Sequence, residues 1–342
     1  MTMQDAIRAM LARDDLSAEQ MTQVMHVLMT GEATQAQIGG FLIGLRMKGE
    51  TIEEITAAAQ VMRRLATPVR IDGPYLVDTC GTGGDGKGTF NISTAAALVA
   101  AAAGARVVKH GNRSVSSRSG SADVLAAAGV NLEITPAQVA ECVNEIGVGF
   151  LFAPQYHGAM KHAVGPRREV GVRTVFNVLG PLTNPARAPN QVIGVFDPAL
   201  TEVLADVLRR LGSRHVLVVH SEDGMDEISC GAATRVTELR DGGIRTDTIE
   251  PAQFGLPDYP VAALSVDSPE ASLRLIRQAL SDDDGAARTI VALNAGAAIY
   301  VSGRAPTLAD GVARAGAVMS AGGALDTLDA LVARTQRFCA SQ

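Results

Sequence analysis

Four carboxylates fall within six residues, Glu222, Asp223, Asp226 and Glu227, in the stretch Ser221-Glu-Asp-Gly-Met-Asp-Glu-Ile228. Acidic loops are commonly just solvated. Carboxylates brought close to phosphate oxygens, however, suit a bridging Mg2+, which takes oxygen ligands and keeps several of its waters. The spacing is not that of an EF-hand calcium loop. A phosphate partner is suggested by a second stretch, Cys80-Gly-Thr-Gly-Gly-Asp-Gly-Lys-Gly-Thr-Phe90, which holds five glycines. Without Cβ atoms, backbone N–H groups can crowd around an anion, and a helix starting just downstream adds a favourable field. The loop has neither the Walker nor the Gly-x-Gly-x-x-Gly spacing, so neither common nucleotide-binding fold is favoured. Alone it would equally describe a mobile surface turn.

A third stretch, Lys109-His-Gly-Asn-Arg-Ser-Val-Ser-Ser-Arg-Ser-Gly-Ser121, gathers Lys109, Arg113 and Arg118 with donors from Asn112, Ser114, Ser116, Ser117, Ser119 and Ser121. That inventory suits a poly-oxyanion, although a solvated polar loop would read the same way. Arg167 and Arg168, near His157, Lys161 and His162, form a fourth candidate, because a guanidinium pairs bidentately with a small carboxylate. His110 could serve as an acid or base, or as a packing and hydrogen-bonding group; the second reading is preferred.

The elements that must position these residues follow from pattern. Ser17-Ala-Glu-Gln20, Thr34-Gln-Ala-Gln37 and Thr51-Ile-Glu-Glu54 are capping boxes, each followed by an apolar stripe at helical spacing. The stripes are Met21, Val24, Met25 and Leu28; Ile38, Phe41, Leu42 and Leu45; and Ile55, Ala58, Ala59 and Met62. A small helical domain is therefore expected over the first seventy or so residues, its methionines in a core or subunit interface. From Tyr75 the pattern changes. Strands are expected at 75–78, 106–109, 147–152, 191–196 and 215–220, with helices from about 91, from Ser121, from Pro136 capped by Thr135, and from Pro198 capped by Asp197. Alternation of this kind predicts a mainly parallel sheet flanked by helices, with ligands at the strand carboxyl ends. Residues 234–248 read as an antiparallel pair turning at Asp241-Gly-Gly, and the chain beyond Ser268 as helix. The polar, basic segment of about 155–185 is expected to leave the sheet and dock on the N-terminal helices.

The chain has 342 residues and a net charge of 30 − 36 = −6, which argues against nucleic-acid or membrane-surface binding by bulk charge. It shows no apolar signal region and no bilayer-length apolar run, so a cytoplasmic protein is expected. Cys80, Cys142, Cys230 and Cys339 lack Cys-x-x-Cys spacing and read as reduced thiols.

Taken in order, Asp78-Thr-Cys-Gly-Thr-Gly-Gly-Asp85, Asn91-Ile-Ser-Thr94, Lys109 to Ser117, Arg173-Thr-Val-Phe-Asn-Val-Leu-Gly-Pro-Leu-Thr-Asn-Pro185 and Gly224-Met-Asp-Glu227 closely resemble the anthranilate phosphoribosyltransferase family of tryptophan biosynthesis, over essentially the whole chain. The resemblance implies a small N-terminal helical domain, residues 1–72 joined by about 155–185, and a larger α/β domain over the rest of 73–342. It implies transfer of the phosphoribosyl group of 5-phosphoribosyl 1-diphosphate to the amine of anthranilate, by a homodimer formed through the helical domain, with no nucleic-acid or membrane partner. Position by position it assigns phosphoribosyl diphosphate to Gly81, Gly84, Asp85, Thr89, Asn91, Ile92, Ser93, Thr94, Lys109, His110, Gly111, Asn112, Arg113, Ser114, Val115, Ser116, Ser117 and Ser121. Anthranilate goes to Gly81, His110, Asn112, Arg167 and Gly180, and Mg2+, two ions per subunit, to Ser93, Asp226 and Glu227. Arg118 stands where the family usually carries Lys or a small residue, a conservative departure. No side chain is expected to be an indispensable general base. Two alternatives share the fold: a pyrimidine nucleoside phosphorylase, which would not need the Asp226-Glu227 pair or the Asn112/Arg167 carboxylate site, and a non-enzymatic nucleic-acid-binding relative, which calls for a basic groove.

Overall fold

The computed structural model describes residues 1–114, 118–281 and 284–340. It opens with four helices, α1 (Met3–Ala12), α2 (Ala18–Thr30), α3 (Gln35–Lys48) and α4 (Ile52–Leu65). All three expected capping boxes form, the hydroxyl accepting the third N–H of the helix while the third side chain accepts the N–H of the cap. The sequence pattern does not flag α1, because its box closes with Asp5 on Thr2 rather than with Glu or Gln. Every residue of the three apolar stripes is buried, so the methionines are core.

The second part runs β1 (Leu76–Asp78), α5 (Ile92–Ala102), β2 (Arg106–Gly111), α6 (Ser121–Ala127), α7 (Pro136–Ile146), β3 (Val148–Phe152), α8 (Ala153–Tyr156), α9 (Lys161–Val170), α10 (Phe176–Leu179), β4 (Asn190–Gly194), α11 (Leu200–Arg210), β5 (His215–Ser221), β6 (Thr234–Arg240) and β7 (Gly243–Ile249). Four helices close the chain: α12 (Pro269–Leu280), α13 (Ala286–Ser302), α14 (Leu308–Ser320) and α15 (Gly323–Ala340). The seven strands form one sheet in the order β3-β2-β1-β4-β5-β6-β7. Strands β1 to β5 are parallel, and β6 and β7 add an antiparallel edge. The β6–β7 turn has Asp241 and Gly242 at φ 48° and 84°, the left-handed pair of a tight hairpin.

Two sequence expectations shift. Helix α11 starts at Leu200 with no side-chain cap, because Asp197 accepts the N–H of Ala199 in a local turn instead. Strand β2 continues through Lys109 and His110 to Gly111, so the first residues of the basic stretch are strand rather than loop.

Both sheet faces are apolar, as a covered parallel sheet requires. Leu217 and Val219 of β5 join the core formed with α5 and α13, while Val216 and Val218 face the other way. That second core is shared among α11, the N-terminal helices and residues Ala163, Val175, Phe176, Val178 and Leu179. The segment carrying α9 and α10 thus leaves the sheet and packs against α2, α3 and α4.

Candidate active site

The chain order runs outward from β1 to β2 and β3, then returns to the other side of β1 as β4. The carboxyl ends of β1 and β4 therefore flank a topological switch point, where parallel sheets leave a crevice. A narrow cleft sits there, lined by Thr79, Gly81, Ser93, Gly194, Asp226 and Glu227; its enclosed part, about 10 Å3, has room for a single water at most. Close approach of backbones builds it. A Cβ on Gly194 would stand 1.4 Å from the carbonyl oxygen of Asp226, and one on Gly81 would stand 3.0 Å from the carbonyl oxygen of Gly194.

Asp226 and Glu227 are half-buried at this cleft. Burial raises the carboxyl of Asp226 above its usual range, and the Asp85 carboxylate beside it raises it further. Glu227 is raised by burial and by the charge of Asp226, against the opposing pull of Lys109. The Ser93 N–H reaches Glu227 and the Gly83 N–H reaches Asp226. Asp223, in contrast, is spent on local structure, accepting from the hydroxyls of Ser221 and Ser229, and Glu222 is exposed. Of the four acids only Asp226 and Glu227 line the cleft. Among the described residues no three His, Cys, Asp or Glu side chains converge to hold a metal between them. A divalent ion would therefore be held by this pair, water and ligand oxygens together, the ligand set Mg2+ favours. Ser93 lies beside the pair, with its hydroxyl accepting from Lys109.

The glycine loop follows β1. Gly83, Gly84, Gly86 and Gly88 all have positive φ. Thr82 anchors the loop to the end of β4, its N–H donating to Gly194 O (2.8 Å) while its hydroxyl accepts the Phe196 N–H (3.2 Å). The burial of Cys80 pushes its thiol well up, which removes it as a nucleophile.

Lys109 is 4% exposed and is not a loop cation as its sequence position suggested. Its Nζ donates to Thr79 O (2.7 Å), Thr79 Oγ1 (3.3 Å) and Ser93 Oγ (3.2 Å), which brings its charge beneath the acidic pair. Arg113 is paired with Asp123 (3.0 Å), and the Asn112 side chain accepts the Arg113 N–H. Asn112 O accepts from Ala122 N and Ser121 Oγ, while Asp123 accepts the N–H groups of Ser114 and Gly120. Gly111 packs against Ser121 and Phe150, so the loop leaves and rejoins at one point. Asn91 ties the loop down, donating to Ser119 O and accepting from the hydroxyls of Ser119 and Ser272. Ile92 is 1% exposed, leaving only its backbone for a ligand. Thr94 is buried with an unpartnered hydroxyl, and Thr89 bridges to Ser265. Val115, Ser116 and Ser117 lie outside the described residues.

On the helical side, Arg167 is half-buried over the Phe176 ring (5.1 Å) with no carboxylate partner among the described residues, whereas Arg168 is exposed. Burial lowers its pKa, the mark of a guanidinium short of solvent. His110 Nδ1 lies 3.2 Å from Gly180 O, and its Nε2 is buried without a partner. Burial, then the neighbouring His157, lowers His110 to about 3, so the ring is neutral at pH 7 and a weak base. The two rings stand 5.1 Å apart.

Two residues of this site were not singled out by type and spacing. Asp78 is fully buried, accepts from His110 N (3.1 Å) and Asn184 Nδ2 (2.7 Å), and is raised to about 6 mainly by burial. It fastens β1, β2 and the end of the 155–185 excursion together. His157, lowered to about 4 by burial, has a buried, unpartnered Nε2 of its own. Asp78 could have been flagged as an acid inside an apolar strand; His157 carried no signal beyond its neighbours.

A glycine loop and an acidic pair at the switch point of a parallel sheet, with a half-buried arginine on the helical side, are features that suit a transferase of phosphorylated sugars. Comparisons with known proteins agree. Residues 73–325 match the α/β domain of a glycosyl transferase family, and residues 4–66 match the helical bundle domain of the same family. Anthranilate phosphoribosyltransferase of Thioalkalivibrio sulfidiphilus is 62% identical, covering 98% of this chain and 99% of its own length; that of Alkalilimnicola ehrlichii is 60% identical, covering 98% and 99%. The crystal structure of the Thermus thermophilus enzyme superimposes with a TM-score of 0.92 at 45% identity, covering 97% and 99%. The Saccharomyces cerevisiae enzyme in complex with PRPP and Mg gives 0.88 at 26%, covering 98% of each chain. The chain belongs to the anthranilate phosphoribosyltransferase family.

Proposed function

We propose that this chain transfers the 5-phosphoribosyl group of 5-phosphoribosyl 1-diphosphate to the amine of anthranilate, giving N-(5-phosphoribosyl)anthranilate and diphosphate, a step of tryptophan biosynthesis. The observation that carries the reading is the acidic pair Asp226-Glu227, raised by burial and by neighbouring carboxylates and lying beside a glycine loop at one switch point. Such a pair calls for a cation, and the cation calls for an anionic ligand. When bound, Mg2+ supplies positive charge to the departing diphosphate.

The chain's own residues do the rest. The glycine loop and the Lys109–Ser121 segment cradle the diphosphate and ribose with N–H and hydroxyl donors, which favours the anion that develops as the C1–O bond breaks. Arg167 receives the anthranilate carboxylate and, with Asn112 and Gly81, directs the amine at C1. Orientation of this kind supplies a large part of the acceleration. The aniline nitrogen is already neutral near pH 7, so attack forms the C–N bond and releases one proton without a strong base. A neutral, weakly basic His110 fits a positioning role beside Gly180.

The same reading places residues 1–72 with about 155–185 in one domain and takes the enzyme as a cytoplasmic homodimer with two ions per subunit. Leu11 and Met47, on the packed helices α1 and α3, are 80% and 71% exposed and support a contact on the helical part. The free thiols Cys80, Cys142 and Cys230 support a reducing compartment. No helix among the described residues is long and apolar enough to cross a membrane. The test is loss of anthranilate fluorescence with phosphoribosyl diphosphate and Mg2+. Consumption that stops when Mg2+ is chelated is the expected result, and none at micromolar enzyme would overturn the assignment.

A further inference from the structure

We infer that Arg173 is a positioning residue that fixes the glycine loop in its anion-accepting form and registers it against the helix that carries Arg167; this rests on the function proposed above. Arg173 follows α9 just past Gly171, whose φ of 64° ends that helix. Its guanidinium crosses to the glycine loop, where it donates to the carbonyl of Gly84 and lies 4.1 Å from the centroid of the Phe196 ring. The match is close: a Cβ on Gly84 would stand 3.6 Å from the guanidinium.

A trans peptide points its C=O and its N–H in opposite directions. Holding the Gly84 oxygen on Arg173 therefore turns the Asp85 N–H away from Arg173. Asp85 is also the residue whose carboxylate lies beside Asp226, so this peptide borders the acidic cleft. Gly84, at φ 84° and without a Cβ, does little by itself to hold this peptide, and a rotated peptide would set its carbonyl oxygen against a bound phosphate. Thr82 fastens the first half of the loop to β4, and Arg173 fastens the second half to the helical side. Phe196 serves both, its N–H on Thr82 and its ring under Arg173. A planar guanidinium stacked on a ring is pre-organised for this contact as a lysine is not.

The experiment compares Arg173→Ala, Arg173→Lys and Phe196→Leu with the wild type by steady-state kinetics and amide hydrogen exchange. In Arg173→Ala the KM for phosphoribosyl diphosphate rises about tenfold, the loss of roughly one charged hydrogen bond, with kcat held within about threefold. Arg173→Lys recovers part of that rise, Phe196→Leu shows a smaller one, and exchange at 83–86 speeds up in Arg173→Ala. An unchanged KM, or equal losses in kcat and melting temperature without rescue by Lys, would overturn the inference. Exchange is read without substrate, so a wild type that fails to consume anthranilate would sink the proposed function separately from the loop restraint.

Discussion

The sheet carries buried acids at both ends, and they are treated in opposite ways. At the carboxyl end, Asp226 lies beside Asp85 and Glu227 beside Asp226, with backbone N–H groups and, for Glu227, Lys109 too weak an offset, and both carboxyls are raised. At the other end, Glu238 of β6 is more enclosed by surface area, at 4% exposed, yet it accepts from His215 (2.7 Å), Tyr300 (2.7 Å) and Arg245 (2.7 Å). Burial pushes Glu238 up, but these three partners outweigh it and hold the carboxyl at about 2. A saturated acid stabilises the fold; an unsaturated one stores demand for a ligand. The fold keeps its unpaid electrostatics where the chemistry happens.

The largest effect should come from neutralising the acidic pair. Asp226→Asn/Glu227→Gln keeps shape and removes charge, so kcat/KM should fall by about 10^3 or more, the several kcal/mol that a leaving-group cation contributes. The melting temperature without Mg2+ should not fall, and its rise on adding Mg2+ should vanish; scanning calorimetry with and without the ion reads both. The converse holds for Glu238→Ala, which should cost about 2 kcal/mol of stability in urea titration, since three donors lose a charged acceptor. Its kcat should stay within about twofold. The Arg245 face is 70% exposed, so that partner contributes least.

A smaller effect is set by pH. Folded Glu238 binds its proton more weakly than the ordinary Glu near 4.5, so its contribution is fully present above about 4.5 and is lost as pH falls toward about 2. Urea midpoints between pH 5 and pH 3 should fall less steeply in Glu238→Ala than in the wild type. Parallel slopes would mean that Glu238 is not held low.

Only the acidic-site side of this contrast was legible in the sequence; Glu238 and its partners were not, and the parts missed share a cause. The acidic stretch, the glycine loop and the Arg167-Arg168 pair are marked by residue type and local spacing, the family resemblance picks Asp226, Glu227 and Arg167 out of them, and the capping boxes mark the N-terminal helices. Pairings across the fold leave no local trace. Nothing near Arg113 says that Asp123 will take its charge, and nothing near Lys109 says that it will turn inward to Thr79 and Ser93. Asp78 needs Asn184, more than a hundred residues away, to make sense as a buried hub. Asp197 read as a helix cap because an Asx turn and a cap begin with the same residue types.

The most direct test sets His110→Ala beside Asp226→Asn/Glu227→Gln in one fluorescence assay at saturating Mg2+ and pH 7.5. With leaving-group charge as the main demand and His110 neutral and weakly basic, His110→Ala should lose no more than about tenfold in kcat while the double variant loses about 10^3. Equal losses would contradict the account, because they would make proton transfer at His110 as important as the charge at the carboxylate pair.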